Sequence, residues 1–246
     1  DIILPASAHA EKNGTFTNTN RQVQMGRKVI NPPGEAKEDL EIINDLGKAL
    51  GLDWNYNHAS EVFNEMSKVM PSLNNISWER VEKEDSVTYP CDDKNLPGNE
   101  IVFSQNFPTS SGLAKIVPTD LISPHELPDQ NFPFVLTTGR LLEHWHTGAM
   151  TRRSNTLDNI EPEAIVNMNR LDMKNLKLEP GNKVQVKTRR GSIELSVRQD
   201  TELPKGMIFI PFCFSEAAAN KLTNPQLDPF GKIPEFKYCA ANIEAC

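Results

Sequence analysis

Apolar residues recur at helical spacing in two segments of the first third of the chain. Over residues 38–50 they stand at positions 40, 42, 43, 46 and 50, and Gly51 follows as a C-terminal stop signal. A second run predicts another amphipathic helix over residues 59–70, with Val62, Phe63, Met66, Val69 and Met70 on one face. The residues before the helices predict a strand at 1–4, a loop at 13–20 and a turn at 31–34.

Alternation of apolar and polar residues, the pattern of a half-buried strand, dominates the second half of the chain. Residues 183–187 and 192–197 alternate in this way, and Arg190-Gly191 between them is typical of a hairpin turn. Apolar runs at 132–136 and 206–214 predict two more strands, and 172–178 predicts a short helix. Many short strands with few helices favour a closed barrel, which leaves no strand edge exposed.

The segment between these patterns, residues 71–130, is irregular and rich in Pro, Asn, Asp and Ser. We interpret it as a connecting excursion with short strands, such as one at residues 100–103. Pro124, Pro128 and Asp129 precede the next strand and indicate a domain boundary. The predicted fold is an α/β segment with this excursion, residues 1–128, followed by a mainly β domain, residues 129–246.

Composition narrows the classes of function. The net charge of −7 argues against a basic surface that binds nucleic acid. The sequence contains no run of 18 apolar residues, so it predicts no membrane-spanning helix. The chain does not begin with Met, and its first residues read as a strand already under way, so we expect a piece of a longer polypeptide. The four cysteines match neither a zinc nor an iron–sulfur spacing and resemble reduced thiols of a cytoplasmic protein. A disulfide stays open, as does a periplasmic location.

Candidate chemistry concentrates in residues 137–153, directly after a predicted strand. This stretch combines a Thr-Gly-Arg turn, two histidines, a tryptophan and three arginines, a mixture that suits a large phosphate-bearing cofactor. A metal site at His144 and His146, or a solvated basic loop, would also account for parts of it. Glu143 is a candidate ion-pair partner of Arg152 or Arg153. Gly-x-Gly-x-x-Gly, Walker-type and Gly-x-Ser-x-Gly motifs do not occur.

Several separate segments together carry a family resemblance. They are Leu4-Pro5-Ala6 with residues 11–19 and Arg21, then residues 32–36, residues 137–153, and a last stretch from Phe209 to Ala240 that includes Glu216-Ala-Ala-Ala-Asn220 and Lys232-Ile-Pro-Glu-Phe-Lys237. In order and spacing the chain resembles the C-terminal part of the molybdopterin-dependent oxidoreductases, and among them the catalytic alpha subunits of formate dehydrogenases. The resemblance implies that residues 129–246 form a double-psi β-barrel of the molybdopterin-dinucleotide-binding type.

The family holds a molybdenum or tungsten ion between two pyranopterin guanine dinucleotides, so the resemblance implies this bis-molybdopterin guanine dinucleotide as the cofactor. Residues matched to cofactor-binding positions are Lys12, Asp39, Thr138, Gly139, Arg140, Leu141, Leu142, Glu143, His144, Trp145, His146, Thr147, Asn220 and Lys237. Phe212 matches a position near the substrate. Simpler alternatives are a surface charge for Lys12 and Asp39, a helix cap for Asn220, and plain core for Phe212.

The family's metal-ligating Cys or selenocysteine, catalytic His and iron–sulfur ligands have no match in this chain. The resemblance therefore implies no catalytic residue or metal ligand here, and a chain that is inactive alone. It implies formate oxidation to CO2, with two electrons leaving through an iron–sulfur cluster in an N-terminal part. Partners would be that part and iron–sulfur, NAD(P)H-, F420- or hydrogenase-type electron-transfer subunits. A periplasmic-type nitrate reductase and a non-catalytic molybdopterin-binding module or split subunit remain alternatives.

Overall fold

The computed structural model describes residues 2–246, which form two compact units, Asp1–Val117 and Pro118–Cys246. The division comes before the predicted 128/129 boundary because Glu126 and Asp129 form ion pairs with Arg189 of the second unit. Its contacts therefore place the segment 118–128 in the same unit as the barrel. That the two units are domains stays a prediction. No helix among residues 2–246 combines the length and the apolar character that crossing a membrane requires.

The first unit contains a small antiparallel sheet and three helices. The sheet has the order β1-β2-β3, with β1 at Gly14–Thr17, β2 at Gln22–Gly26 and β3 at Ser86–Thr88. The helices are α1 at Asp39–Ala49, α2 at Ala59–Val69 and α3 at Trp78–Glu84. The two helices predicted from apolar periodicity are confirmed as α1 and α2. The turn predicted at 31–34 lies two residues later, where the Ala36 N–H donates to the Pro33 carbonyl (3.1 Å).

Three local predictions in this unit are wrong. Residues 2–4 form no strand, because no neighbouring strand pairs with them in the described chain and Ile2 and Ile3 are exposed; Asp1 lies outside the described residues. Residues 13–20 are not a loop throughout, since β1 pairs there with β2. Residues 100–103 form no strand, because the Arg21 guanidinium rather than another strand bonds the Glu100 carbonyl (2.6 Å).

The second unit is a closed barrel with the strand order β4-β8-β5-β7-β6-β9. Its elements are β4 at Phe134–Gly139, α4 at Asn155–Ile160, β5 at Ile165–Met168, α5 at Arg170–Asn175, β6 at Lys183–Lys187, β7 at Ser192–Gln199, β8 at Met207–Pro211 and β9 at Cys239–Ala245. The pairs β4–β8 and β5–β7 are parallel, and the remaining pairs are antiparallel. Inward residues such as Leu136, Val184, Val186 and Ile210 are fully buried, so the predicted alternation is confirmed.

Strand direction brings several loops to one end of this barrel. Gly139 at the end of β4 pairs with Pro211 at the end of β8. Because β9 runs antiparallel to β4, it begins at the same end, and β6, antiparallel to β9, ends there. We call this end the site rim: β4, β6 and β8 end at it, and β5, β7 and β9 begin at it. Thr138 and Gly139 are the last residues of β4, and the other barrel residues matched to the cofactor or substrate follow or precede strands at this rim.

Candidate functional site

The end of β4 is fixed by contacts that leave little room for change. The buried Thr138 hydroxyl donates a 2.8 Å hydrogen bond to the Phe236 carbonyl, which holds the chain before Lys237 against β4. Gly139 lies so close to the Phe209 ring that a Cβ would come within 2.5 Å of it. Both residues hold the adjacent chain in place, and the Thr138 hydroxyl proton is already used in the bond to Phe236.

The rim loop, residues 140–150, connects β4 to a 3₁₀ turn at Thr151–Arg153. It presents Leu142, 95% exposed, and Trp145, 69% exposed, to the surface. Arg140, His146 and Thr147 are also exposed, whereas Leu141 and Glu143 are half-buried. The loop is therefore a surface with several polar and aromatic groups available to a ligand.

His144 is the exception in this loop, since only 1% of it is exposed. Its Nε2 lies 2.8 Å from the Glu161 carbonyl and its Nδ1 lies 3.3 Å from the Thr151 hydroxyl. The ring also packs edge-on against Phe214. Because both nitrogens face protein groups, the structure does not bring His144 and His146 together as metal ligands, and residues 2–246 contain no cluster of three His, Cys, Asp or Glu side chains placed to hold a metal ion.

Cations near the site rim fall into two classes. Arg152 donates to Asp158 (2.6 Å) and Glu216 (2.8 Å). Within residues 2–246 Glu143 forms no ion pair with Arg152 or Arg153, so the predicted pair is wrong. Arg140 and Lys237 are exposed and form no ion pair within residues 2–246. The Lys237 ammonium instead lies 5.7 Å from the Phe236 ring centroid. Arg140 and Lys237 are thus free to meet an anion at the rim, and so is the exposed Arg153.

Phe212 follows the end of β8 and is half-buried against the barrel core. Its ring lies 5.2 Å from the His146 ring in an edge-to-face contact. His146 has a φ of 50°, an uncommon conformation for a residue with a side chain, and such strain concentrates at functional sites. The structure therefore brings together the predicted substrate-side residue and a predicted cofactor-side residue.

Asn220 lies exposed in the 3₁₀ turn Ala219–Lys221, whose N-cap is Ala218. The capping alternative for Asn220 is therefore wrong. In the first unit, Lys12 and Asp39 form an ion pair with each other at the first residue of α1. The hydrogen bond from Lys12 holds the pKa of the Asp39 carboxyl below its ordinary value, although slight burial opposes this.

Sequence reasoning missed the groups that anchor the rim loop. The Glu161 and Phe236 contacts run through backbone carbonyls, which no residue type reveals, and Glu216 lies 64 positions from Arg152. Thr151 lay within the candidate stretch but received no role. All four cysteines are free, as expected. Burial raises the pKa of the Cys213 thiol to about 11. Burial also raises the pKa of the Cys239 thiol above its ordinary value.

Two segments of the chain match known protein families. Residues 134–240 match the family described as "Molydopterin dinucleotide binding domain", and residues 1–49 match the family described as "Molybdopterin oxidoreductase". The F420-dependent formate dehydrogenase subunit alpha of Methanocaldococcus jannaschii is 46% identical over 246 residues, which cover 99% of this chain and 36% of that protein. The assimilatory nitrate reductase catalytic subunit of Bacillus subtilis is 33% identical, with the same coverage.

The chain thus spans 36% of the length of these relatives. The solved structure of acetylene hydratase from Pelobacter acetylenicus matches with a TM-score of 0.74, at 18% identity, over 99% of this chain and 38% of that one. This likeness shows the shared fold, and the predicted α/β segment followed by a molybdopterin-dinucleotide-binding barrel is confirmed. Residues 1–49 and 134–240 thus match two domains of the molybdopterin oxidoreductase family, and the second match runs from β4 into β9 of the barrel.

Proposed function

We propose that this chain is the C-terminal, cofactor-cradling part of a formate dehydrogenase catalytic subunit. The observation that carries the proposal is the pair of unpaired cations, Arg140 and Lys237, beside the rim loop of a dinucleotide-binding barrel. The 46% identical relative is an F420-dependent formate dehydrogenase subunit alpha, which supports formate as the substrate. The proposal includes a cytoplasmic location and electron-transfer subunits, one of them F420-dependent.

The residues of this chain fit a bis-pyranopterin guanine dinucleotide carrying molybdenum or tungsten. Arg140 and Lys237 can neutralise a pyrophosphate, since guanidinium and ammonium groups form charge-assisted hydrogen bonds with phosphate oxygens. The exposed groups of Trp145, His146 and Thr147 can line the pterin. Asn220 can donate and accept at the same rim.

In the first unit, the Asp39 carboxylate can accept from the N–H edge of a guanine while Lys12 holds it ionised. Thr138 acts through Lys237, because its hydroxyl fixes the Phe236 carbonyl one residue away. Phe212 offers an apolar ring that would exclude water next to formate. The remaining residues matched to the cofactor, Gly139, Leu141, Leu142, Glu143 and His144, shape the rim loop.

When bound, the metal and its pterins supply the two-electron oxidation of formate to CO2, with an iron–sulfur cluster as the exit for electrons. The metal ligand, the catalytic histidine and the cluster ligands would come from an N-terminal part. We therefore propose that these residues alone do not turn over formate. Their contribution is to bind, orient and neutralise the cofactor.

Purification of the complete protein that contains this chain from its native source tests the proposal. We expect molybdenum or tungsten with about two pterin dinucleotides per metal, and formate oxidation without nitrate reduction. Nitrate reduction without formate oxidation would support the nitrate reductase alternative, to which the 33% identical relative belongs by name. Absence of both metal and pterin would contradict the cofactor assignment.

A matched pair of double variants tests the cations. Arg140→Gln with Lys237→Gln removes two positive charges at the site rim, and Arg170→Gln with Lys205→Gln removes two exposed charges at the opposite end of the barrel. Loss of two charge-assisted hydrogen bonds should weaken cofactor retention by roughly tenfold or more. We expect the first pair to lose pterin and the second to keep it; equal retention in both would contradict the roles of Arg140 and Lys237.

A further inference from the structure

Arg152, in the 3₁₀ turn that follows the rim loop, contacts the chain after β8. Arg152 donates from Nε to Asp158 (2.6 Å) and from Nη1 to both carboxylate oxygens of Glu216 (2.8 and 3.0 Å). Its guanidinium carbon lies 4.7 Å from the Phe214 ring centroid. Two carboxylates and an aromatic face therefore occupy this guanidinium, whereas the Arg140 guanidinium is exposed.

Thr151, next to Arg152, also contacts the rim loop. The Trp145 N–H donates to the Thr151 hydroxyl oxygen (2.9 Å), and that hydroxyl lies 3.3 Å from His144 Nδ1. His144 Nε2 faces the Glu161 carbonyl, which can only accept, so this nitrogen carries the proton. In the neutral ring Nδ1 then accepts from the Thr151 hydroxyl, and every polar atom of the pair has a partner.

Close approach at Gly148 completes this arrangement. Gly148 has a φ of 73°, and a Cβ there would come within 2.6 Å of the Cys213 carbonyl oxygen and 2.7 Å of Arg152 Cγ. The rim loop therefore lies directly against residues 213 and 152 at its end. Trp145, His146 and Thr147 stand between two fixed points, the buried His144 ring and this glycine contact.

We propose that His144, Thr151 and Arg152 are positioning residues that set where the exposed groups of the rim loop point, and that none of them contacts the cofactor. This inference rests on the proposed function for its consequences, and it gives His144 a role other than the cofactor contact that the family resemblance implies. The geometry explains why one histidine of the pair is buried and the other exposed. It also separates Arg152, whose Nε and Nη1 donate to carboxylates of the chain, from Arg140, which is free for phosphate.

The chain provides a matched control for Arg152. Arg189 also pairs with two carboxylates, Glu126 and Asp129, and its guanidinium carbon lies 4.5 Å from the Phe132 ring centroid. It makes the same kind of contacts but holds a different segment, residues 126–132. Arg152→Met and Arg189→Met therefore remove equivalent interactions at two places in the same unit.

The first readout is independent of the cofactor: amide hydrogen exchange of the complete protein, with and without extraction of its pterin. In Arg152→Met we expect faster exchange, by roughly tenfold or more, in peptides covering residues 140–154. In Arg189→Met we expect faster exchange only around 126–132 and 188–191. Unchanged exchange of 140–154 in Arg152→Met would overturn the positioning role, whatever cofactor the protein binds.

The second readout is kinetic and is made on the loaded enzyme. A loop displaced by about 1 Å can lower turnover by about 100-fold, so we expect kcat on formate to fall in Arg152→Met while Arg189→Met keeps near-normal kcat. Arg152→Lys cannot span Asp158 and Glu216 at once and should restore only part of the activity. Full activity of Arg152→Met, or equal losses in both methionine variants, would overturn the inference. A wild-type protein without pterin or formate activity would contradict the proposed function and leave the exchange result to decide the positioning role.

Discussion

In the barrel unit every strand is hydrogen-bonded on both sides, whereas the first unit's three-stranded sheet ends at two edges, β1 and β3. The apolar positions differ accordingly. Inward residues of β4, β6 and β8 are fully buried, but Ile43 in α1 is 55% exposed and Leu50, its C-cap residue, is 80% exposed. The buried cluster of the first unit instead forms around Phe63, Trp78 and Val81.

This difference teaches that correct secondary structure and self-sufficient packing are separate properties of a sequence. The periodicity of α1 is real, yet its buried residues are Asn44 and Gly47 rather than its leucines and isoleucines. A closed barrel provides its own partner for each strand, so its periodicity also identifies its core. We therefore expect substitutions in the two units to have very different effects.

The largest expected effect comes from the barrel core. Leu136→Ala removes a fully buried side chain and should lower the free energy of unfolding by about 2–5 kcal/mol, because lost burial and a cavity add together. Leu50→Ala, at the exposed C-cap of α1, should change it by less than about 0.5 kcal/mol. Urea unfolding of both variants measures this contrast, and equal losses would show that α1 buries Leu50 in solution.

The next largest loss of stability is expected at a close backbone contact in the first unit. A Cβ on Gly98 would lie 1.5 Å from the Thr88 carbonyl oxygen at the end of β3, so Gly98→Ala must displace backbone. We expect a loss of about 1–3 kcal/mol, as for other overpacked sites. Gly14→Ala is the control, since nothing lies within 4 Å of its Cβ position. Thermal melts of the two variants should differ by several degrees, and coincident melts would contradict the close approach at Gly98.

Much of the fold could be predicted from sequence because local pattern and tertiary packing agree there. Val184 and Val186 alternate with polar residues and are fully buried. The strand β9 was missed, since its Cys-Ala-Ala-Asn sequence lacks β-branched residues, and small side chains there fit the crowded inside of the barrel. The short β5 was missed as well, because four residues after an irregular stretch carry too little pattern.

The candidate site shows a similar division. Residue types pointed to the rim loop, and the topology places it with Phe212 and Lys237 at one rim. Which of His144 and His146 is buried could not be predicted, because the choice depends on the Glu161 carbonyl, a backbone group 17 residues away. Composition also could not separate the engaged Arg152 from the exposed Arg140.

The attachment of residues 118–128 to the barrel predicts a pH dependence. Burial of Glu126 opposes its ionisation, but hydrogen bonds from Arg190, the Ala240 N–H and Arg189 outweigh it and hold the pKa below the usual 4.5. Because the folded-state pKa is the lower one, ionised Glu126 stabilises the fold fully above the unfolded-state pKa, and the stabilisation is lost as pH falls through the folded-state pKa.

Glu126→Gln should therefore cost about 1 kcal/mol at neutral pH and flatten the decline of stability below about pH 5. Urea unfolding at a series of pH values measures both effects. Glu202→Gln, an exposed residue of the same unit, serves as the control and should keep the wild-type slope. A steeper decline in Glu126→Gln than in the wild type would reverse the sign of our argument.

The smallest expected change in stability comes from breaking exposed ion pairs in the first unit. The same substitutions distinguish a cofactor contact from an ordinary surface charge. Lys12→Met breaks the pair with Asp39, whose side chain is 53% exposed, and Lys37→Met breaks the pair with Asp45 (2.9 Å), whose side chain is 55% exposed. Each should cost at most about 0.5 kcal/mol, because exposed ion pairs contribute little. If Asp39 binds guanine with Lys12 holding it in place, only Lys12→Met lowers the pterin dinucleotide content of the complete protein. Equal retention in both variants would mean that Lys12 and Asp39 form a plain surface ion pair, and cofactor contacts of the first unit would have to lie elsewhere.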